Sequence, residues 1–302
     1  MWQGIAGWLS QSPAMLLPLL NTPVQSAMDP SRRTYWVFLI AAIAIAIVVL
    51  ALQQGAFYWR RWLRTFFSRQ YFLSRSSATD IGYWFFNALL KLAVIVPLMG
   101  GHLVFTLFVV RFLHHNIGPA PDIDGQWMAI PWVMMTIYTL VFLITEDASR
   151  YGLHRLMHQV PWLWRLHKVH HSAKVLTPFT LYRVHPVEMA LYYFRGTLVF
   201  GLVSGIFIYL WGAKVSGWHI LGVDAVGFLF NLAAANLRHS HIWLSFGFLE
   251  RWFISPAQHQ LHHSNNPRHF NQNYGAILAV WDRCFGSWRQ AGKRQTLNFG
   301  IE

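Results

Sequence analysis

The chain has 302 residues, 55% of them hydrophobic and 17% aromatic, and only 12% charged, about half of the ~25% usual in a soluble globular protein. That composition excludes an ordinary soluble domain and points to a protein organised around a bilayer. Bases outnumber acids 24 to 11, but Lys and Arg stand beside apolar runs rather than on a polar module, so the excess reads as attraction to anionic headgroups and not to nucleic acid.

The single cysteine, Cys284, rules out an internal disulfide and a cysteine-based zinc site. Residues 1–30 lack the basic start and small-residue exit of a cleaved leader. Trp2, Ile5, Trp8 and Leu9 recur there at helical spacing and Pro13 and Pro18 interrupt it, which predicts a short interfacial segment. Residues 36–52 form an uncharged apolar run between Arg32–Arg33 and Gln53–Gln54, long enough to cross a ~30 Å hydrocarbon core. The loop after it carries Arg60, Arg61, Arg64, Arg69 and Arg75 against Asp80. By the positive-inside rule this loop is cytoplasmic and the N-terminus lies outside.

Within residues 83–112, the 19 positions between Lys91 and Arg111 match one crossing better than a hairpin at Pro97, Gly100 and Gly101. Residues 114–126 then hold no Lys or Arg and two acids, Asp122 and Asp124, as an external loop should. A third span over residues 130–145 returns the chain to the cytoplasm at Glu146. Two further apolar stretches, 189–211 and 218–235, are separated by Gly212, Lys214 and Gly217 and read as a helical hairpin. Asp224 falls inside the second arm, where a carboxylate must face another helix or water. The expected fold is all-α: a multi-pass transmembrane helical bundle with a cytoplasmic, histidine-rich helical cap. Residues 1–80 form its N-terminal segment and residues 81–302 its main membrane domain.

The stretch 154–171, HRLMHQVPWLWRLHKVHH, contains His154, His158, His167, His170 and His171. A second box, HQLHH, places His259, His262 and His263 about ninety residues on, and the apolar hairpin between them returns both to one membrane face. On a helix, His154 and His158 lie one above the other and can meet one ion. Adjacent His170 and His171 point about 100° apart, so they serve two neighbouring ions more readily than one. His262 and His263 repeat that arrangement. Eight convergent imidazoles with almost no carboxylate exceed a four-ligand site, so two metals are expected. Imidazole suits Zn, Cu, Fe and Ni, and spacing does not choose among them.

A mere cluster of basic side chains at a headgroup surface would be served by Lys or Arg and does not require i, i+3, i+4 spacing twice. His102, His114, His115 and His219 read as interfacial or hydrogen-bonding histidines. The motif NLRHSH adds Asn236, His239 and His241 before the last box.

Taken in order, HRLMH, HKVHHS, RHSH and HQLHHS resemble the fatty acid hydroxylase and sterol desaturase superfamily of membrane di-iron oxygenases, most strongly over residues 130–290. Asp147 and Tyr151 before the first box and RVHPVE (Arg183, His185, Pro186, Glu188) after the second fit that pattern. Asn273, Tyr274 and Gly275, then Trp281, Asp282, Phe285 and Gly286, match its NYG and WDRxFG tail. The resemblance implies a metal-ligand set of His154, His158, His167, His170, His171, His239, His259, His262 and His263. His241, His185 and Asp147 are further candidates for ligand or supporting roles, Asp147 as an acceptor for a ligand histidine. Glu188 and Asp282 are expected to pair with arginines.

The same resemblance implies two iron ions, with zinc a substitute in isolated protein, and hydroxylation or desaturation of an unactivated C–H bond in a sterol, fatty acyl or related lipid, using O2. Electrons are expected from a separate donor of ferredoxin, cytochrome b5 or flavoprotein type. The expected location is a bacterial inner membrane or the endoplasmic reticulum, with the boxes and C-terminus cytoplasmic. Phe194, Phe200, Phe228 and Phe230 are read as packing residues or as the lining of a lipid route. Two other classes compete. A di-zinc hydrolase would favour a carboxylate base inside a box, and a bis-histidine haem carrier would place its histidines on facing membrane helices; the boxes show neither.

Overall fold

The computed structural model describes residues 22–54, 68–121, 130–212, 215–220, 223–233 and 235–301. The described residues are mostly helical. Three helical runs, Trp36–Gln53, Arg75–Asn116 and Pro186–Trp211, are long and apolar enough to cross a membrane. Most of the expected interfacial segment, the arginines at 60, 61 and 64, Asp122, Asp124 and Lys214 lie outside the described residues.

Helix α1 (Trp36–Gln54) seals Phe38 and Ala46 inside while Ile40, Val48 and Leu52 point outward, as suits a helix with protein on one side and lipid on the other. Asn236 Nδ2 donates to Arg33 O just before α1 (3.0 Å), and Gln53 Nε2 donates to Trp243 O at its end (2.6 Å). Both ends of α1 therefore lie beside the segment 236–243 that carries the NLRHSH motif. Ala46, Val49 and Leu50 pack against Leu237 and Ile242.

Helix α2 (Arg75–Leu90) begins at Ser74, whose Oγ accepts from Ser77 N at 3.0 Å. The boundary drawn after residue 80 falls inside it. Asp80 is fully buried and accepts from Arg183 Nε (2.6 Å) and Thr180 Oγ1 (2.7 Å), tying α2 to the turn that follows the second box. A π turn at Lys91–Ile95 and a last helical turn at Val96–Met99 lead to Gly100, whose φ of +71° ends the run. Helix α3 (His102–Asn116) starts afresh. The region is thus broken at Gly100, neither one straight helix nor a hairpin packed on itself.

Helix α4 (Pro131–Gln159) runs unbroken from the expected third span into the first histidine pair. An extended Val160 and Pro161 at the first helical position turn the chain into α5 (Pro161–His171). Helix α6 (Pro186–Trp211) joins these elements. It runs parallel to α3, with His102 against Thr197 (3.1 Å) and Tyr209 Oη donating to Gly118 O (3.2 Å). It runs antiparallel to α4, with Tyr138 on Ser204 (2.9 Å) and Arg195 on Glu146 (2.7 Å). A Cβ on Gly205 would lie 2.6 Å from Val109 Cβ, so glycine allows α3 and α6 this close approach.

Among the described residues, the second arm of the expected hairpin is helical only in its later part. Strands β1 (His219–Ile220) and β2 (Val223–Asp224) pair antiparallel, and only α7 (Ala225–Ala233) follows. Asp224 starts α7, its Oδ2 accepting from Gly227 N at 2.6 Å, so its carboxylate is satisfied by a helix end. Helix α8 (Pro256–His263) opens on a reciprocal Ser255/Gln258 capping box, and α9 (Val280–Cys284) closes the described helices.

Candidate metal centre

Three helix ends and one loop bring the boxes together. Nitrogens of His154 and His158 from α4, His167 and His171 from α5 and His262 from α8 lie within 4.8 Å of one another. Those of His170 from α5, His239 from the loop after α7, and His259 and His263 from α8 form a second group within the same distance. Each adjacent pair, His170–His171 and His262–His263, is divided between the groups because neighbouring helical side chains diverge by about 100°.

Backbone and one carboxylate orient the rings. Nδ1 of His154 donates to Tyr274 O (2.7 Å), that of His262 to Gln272 O (2.9 Å) and that of His170 to Arg183 O (3.3 Å), since a carbonyl can only accept. Nδ1 of His167 meets Glu188 Oε1 at 2.7 Å. A proton committed at Nδ1 leaves the Nε2 lone pair free. In the five-histidine group, Nε2 of His158, His167, His171 and His262 is buried with no protein partner.

In the four-histidine group, Nε2 of His239, His259 and His263 form a triangle with sides of 3.1, 3.1 and 3.2 Å. A ring nitrogen that donates has no lone pair left to accept, so protons cannot close this triangle. A cation can, and ligands about 2.0–2.1 Å from one ion sit at such mutual distances. The donor set and its orphaned nitrogens fit a pair of imidazole-held metal ions.

Electrostatics points the same way. Burial first, then the neighbouring imidazoles, drives His158, His167, His171, His239, His259 and His263 well below the ordinary imidazole value. Burial likewise depresses His262 well below it, and His154 and His170 to about 4. The rings are neutral at pH 7 and available as ligands.

The other expected participants fall elsewhere. Asp147 touches no histidine: it accepts from Ile277 N (2.7 Å), Leu278 N (3.0 Å) and Trp281 Nε1 (2.9 Å). Three donors from the tail satisfy the carboxylate better than one imidazole would. His241 lies outside both groups, edge-on to Tyr71 with centroids 4.4 Å apart. His185 caps α6, its Nδ1 accepting from Val187 N at 3.2 Å.

Glu188 and Asp282 depart from the expected arginine pairing. Glu188 takes His167, and Asp282 accepts from Tyr274 N (2.9 Å), Gly275 N (2.7 Å) and Ser287 Oγ (2.6 Å). Asp282 therefore steadies the loop whose Tyr274 carbonyl orients His154. The orienting carbonyls of Arg183, Gln272 and Tyr274 escape a reading of side chains. Their only trace is that all three lie in or beside the RVHPVE and NYG motifs.

A cavity of about 550 Å³ reaches both groups through His154, His167, His170, His239 and His259, and extends between apolar helices past Phe142, Met189 and Phe200. A smaller one of about 270 Å³ meets them through His158, His171, His262 and His263. Phe200 thus lines a route, Phe228 packs on Phe38 (5.0 Å), and Phe194 is exposed on the outer face.

Known proteins similar to the chain share one family. The fatty acid hydroxylase family model matches residues 139–287, a span containing every histidine of both groups. The chain is 28% identical over 164 residues to an alkylglycerol monooxygenase of Danio rerio, covering 54% of this chain and 33% of that protein. It is 28% identical over 183 residues to an ornithine lipid hydroxylase of Rhizobium tropici (61% and 51%) and over 180 residues to a lathosterol oxidase of Mus musculus (59% and 50%). The chain thus spans between about a third and a half of the length of these relatives. No solved structure matches it. The motifs, the paired histidine groups and these relatives together place the chain in the fatty acid hydroxylase and sterol desaturase superfamily.

Proposed function

We propose that the chain is a membrane-bound di-iron oxygenase that hydroxylates or desaturates a lipid, a sterol, fatty acyl chain or related molecule. The observation that carries this reading is the division of the box histidines into two imidazole groups at the inner end of a lipid-sized cavity. His154, His158, His167, His171 and His262 would hold one iron, and His170, His239, His259 and His263 the other. Two reduced irons supply O2 activation strong enough to oxidise an unactivated C–H bond, giving an alcohol or an alkene.

The chain's own residues would orient and insulate. Tyr274 O, Gln272 O, Arg183 O and Glu188 fix the ring planes, and such partners strengthen imidazole as a ligand. Phe142, Met189 and Phe200 give the route an apolar wall suited to hydrocarbon. The named activities of the relatives are all lipid oxidations, which supports a lipid substrate and O2 here. Electrons would come from a separate donor of ferredoxin, cytochrome b5 or flavoprotein type.

A cytoplasmic placement of the histidine face is supported by Arg155, Arg165, Lys168, Arg251, Arg283 and Lys293 around it. No carboxylate belongs to either histidine group, which disfavours a metal hydrolase with its own base. The test is anaerobic purification, metal analysis, and O2 consumption with candidate lipids and a reductant. Two irons and lipid-dependent uptake are expected. Two zinc ions with no uptake under any reductant would overturn the reading, and a Soret band would point to haem.

A further inference from the structure

The large cavity carries more positive charge than its own carboxylates neutralise. Of the acids lining it, Glu146 pairs with Arg150 and Arg195, and Glu188 is hydrogen-bonded to the neutral ring of His167. Arg33, Lys91 and Arg238 line the same space, and among the described residues no carboxylate lies within ion-pair distance of any of them. Two of the three crowd one ring: the Arg238 guanidinium lies 4.6 Å from the Phe230 centroid and that of Arg33 5.8 Å. Arg238 is only 3% exposed, and its Nη2 donates to Ile254 O at 3.1 Å.

Like charges gathered out of water repel with little screening, and a buried charge is costly unless paired. Attraction to the aromatic face offsets part of that cost, but leaves most guanidinium donors for something else. Lys91 stands at the start of the π turn, its Nζ 5.4 Å from the Tyr193 centroid, and such turns recur at functional positions.

We propose that this cavity recognises an anionic amphiphile, with a phosphate or carboxylate held between Arg33 and Arg238 and hydrocarbon along Phe142 and Phe200. The fork of a guanidinium matches either group in two-point fashion. The apolar wall selects an amphiphile over a free anion. Identifying that amphiphile as the substrate rests on the oxygenase reading; its binding does not.

The experiment titrates full-length, metal-loaded protein in detergent with dihexanoyl phosphatidate, with dihexanoyl glycerol as the uncharged match, and with inorganic phosphate alone, all by calorimetry. Phosphatidate should bind at least about tenfold more tightly than either of the others. Arg33→Gln should erase most of that preference, Arg33→Lys should keep part of it, and Lys91→Gln should reduce it less, with metal content per chain unchanged throughout. Equal affinity for phosphatidate and the glycerol, or a preference that survives Arg33→Gln, overturns the proposal. Inorganic phosphate binding as tightly as phosphatidate overturns it too, by assigning the arginines to a free anion. A charge preference intact in protein that consumes no O2 with any amphiphile supports this site while removing the oxygenase reading.

Discussion

The imidazoles of His171 and His263 stack, with centroids 4.4 Å apart and planes 22° apart, although each belongs to a different histidine group. The two groups therefore share a wall, and a ring removed from one loosens the other. His263→Ala also breaks the nitrogen triangle with His239 and His259. It is expected to leave at most one metal per chain by plasma emission and to abolish lipid-dependent O2 uptake. Two tightly held metals in this variant would show that the groups are wrongly drawn. His114→Ala, whose ring rests on Tyr209 with centroids 5.0 Å apart and is remote from both groups, should retain both metals.

Glu188 supports His167 from α6, across 21 positions of sequence. Removing such a partner usually costs about 10–100-fold in metal affinity or activity. Glu188→Ala should fall in that range. Glu188→Gln keeps an oxygen that accepts from Nδ1 and should lose less. Metal affinity from chelator competition distinguishes them, and equal losses would mean that Glu188 acts through packing rather than through its oxygen.

Metal-free protein should be acid-labile, and the sign follows from the depressed imidazoles. His154 and His170 titrate near 4 in the fold and near 6.5 when unfolded. Between those values the unfolded chain binds more protons, so stability is intact above about pH 6.5 and drains away as pH falls towards 4. His154 and His170 each contribute on the order of 3 kcal/mol to that loss. Asp282, raised to about 6 by burial, works in the opposite direction, because its contribution is lost as pH rises from about 4 to 6. Asp147, also raised by burial, acts the same way, and the many depressed histidines outweigh these carboxylates. The apparent melting point of the apo form should drop steeply from pH 7 to 5, and a flat profile would contradict the burial of the rings.

Much of the site was legible because histidine spacing is a local property of helices. The i, i+3, i+4 pattern and the divergence of His170 from His171 follow from 3.6 residues per turn, and a second box with the same spacing implied a partner for the first. The supports were less legible. Asp147 lies two turns before His154 on nearly the same face, which suggests contact with a ring, but tertiary structure carries a loop with three better donors to it. Glu188 and Asp80 find their partners only through folding across 21 and about a hundred positions. The second arm of the expected hairpin is only partly helical for a similar reason: hydropathy marks an apolar stretch without saying that His219–Ile220 and Val223–Asp224 pair as strands.

Asp147 offers a test that separates scaffold from ligand. Its carboxylate fastens residues 277–281 to α4, and Gly275 nearby leaves no room for a side chain, since a Cβ there would lie 2.6 Å from Leu278 O. In Asp147→Asn the amide nitrogen faces backbone N–H groups, leaving buried donors unmatched at about 1–3 kcal/mol. The loop should loosen, lowering the melting point by several degrees and exposing residues 276–282 to protease. No ligand has been removed, so at saturating metal the variant should still bind two ions. If its metal count falls to one while the loop stays protected, Asp147 serves the metal centre directly and is not the fastening of the tail.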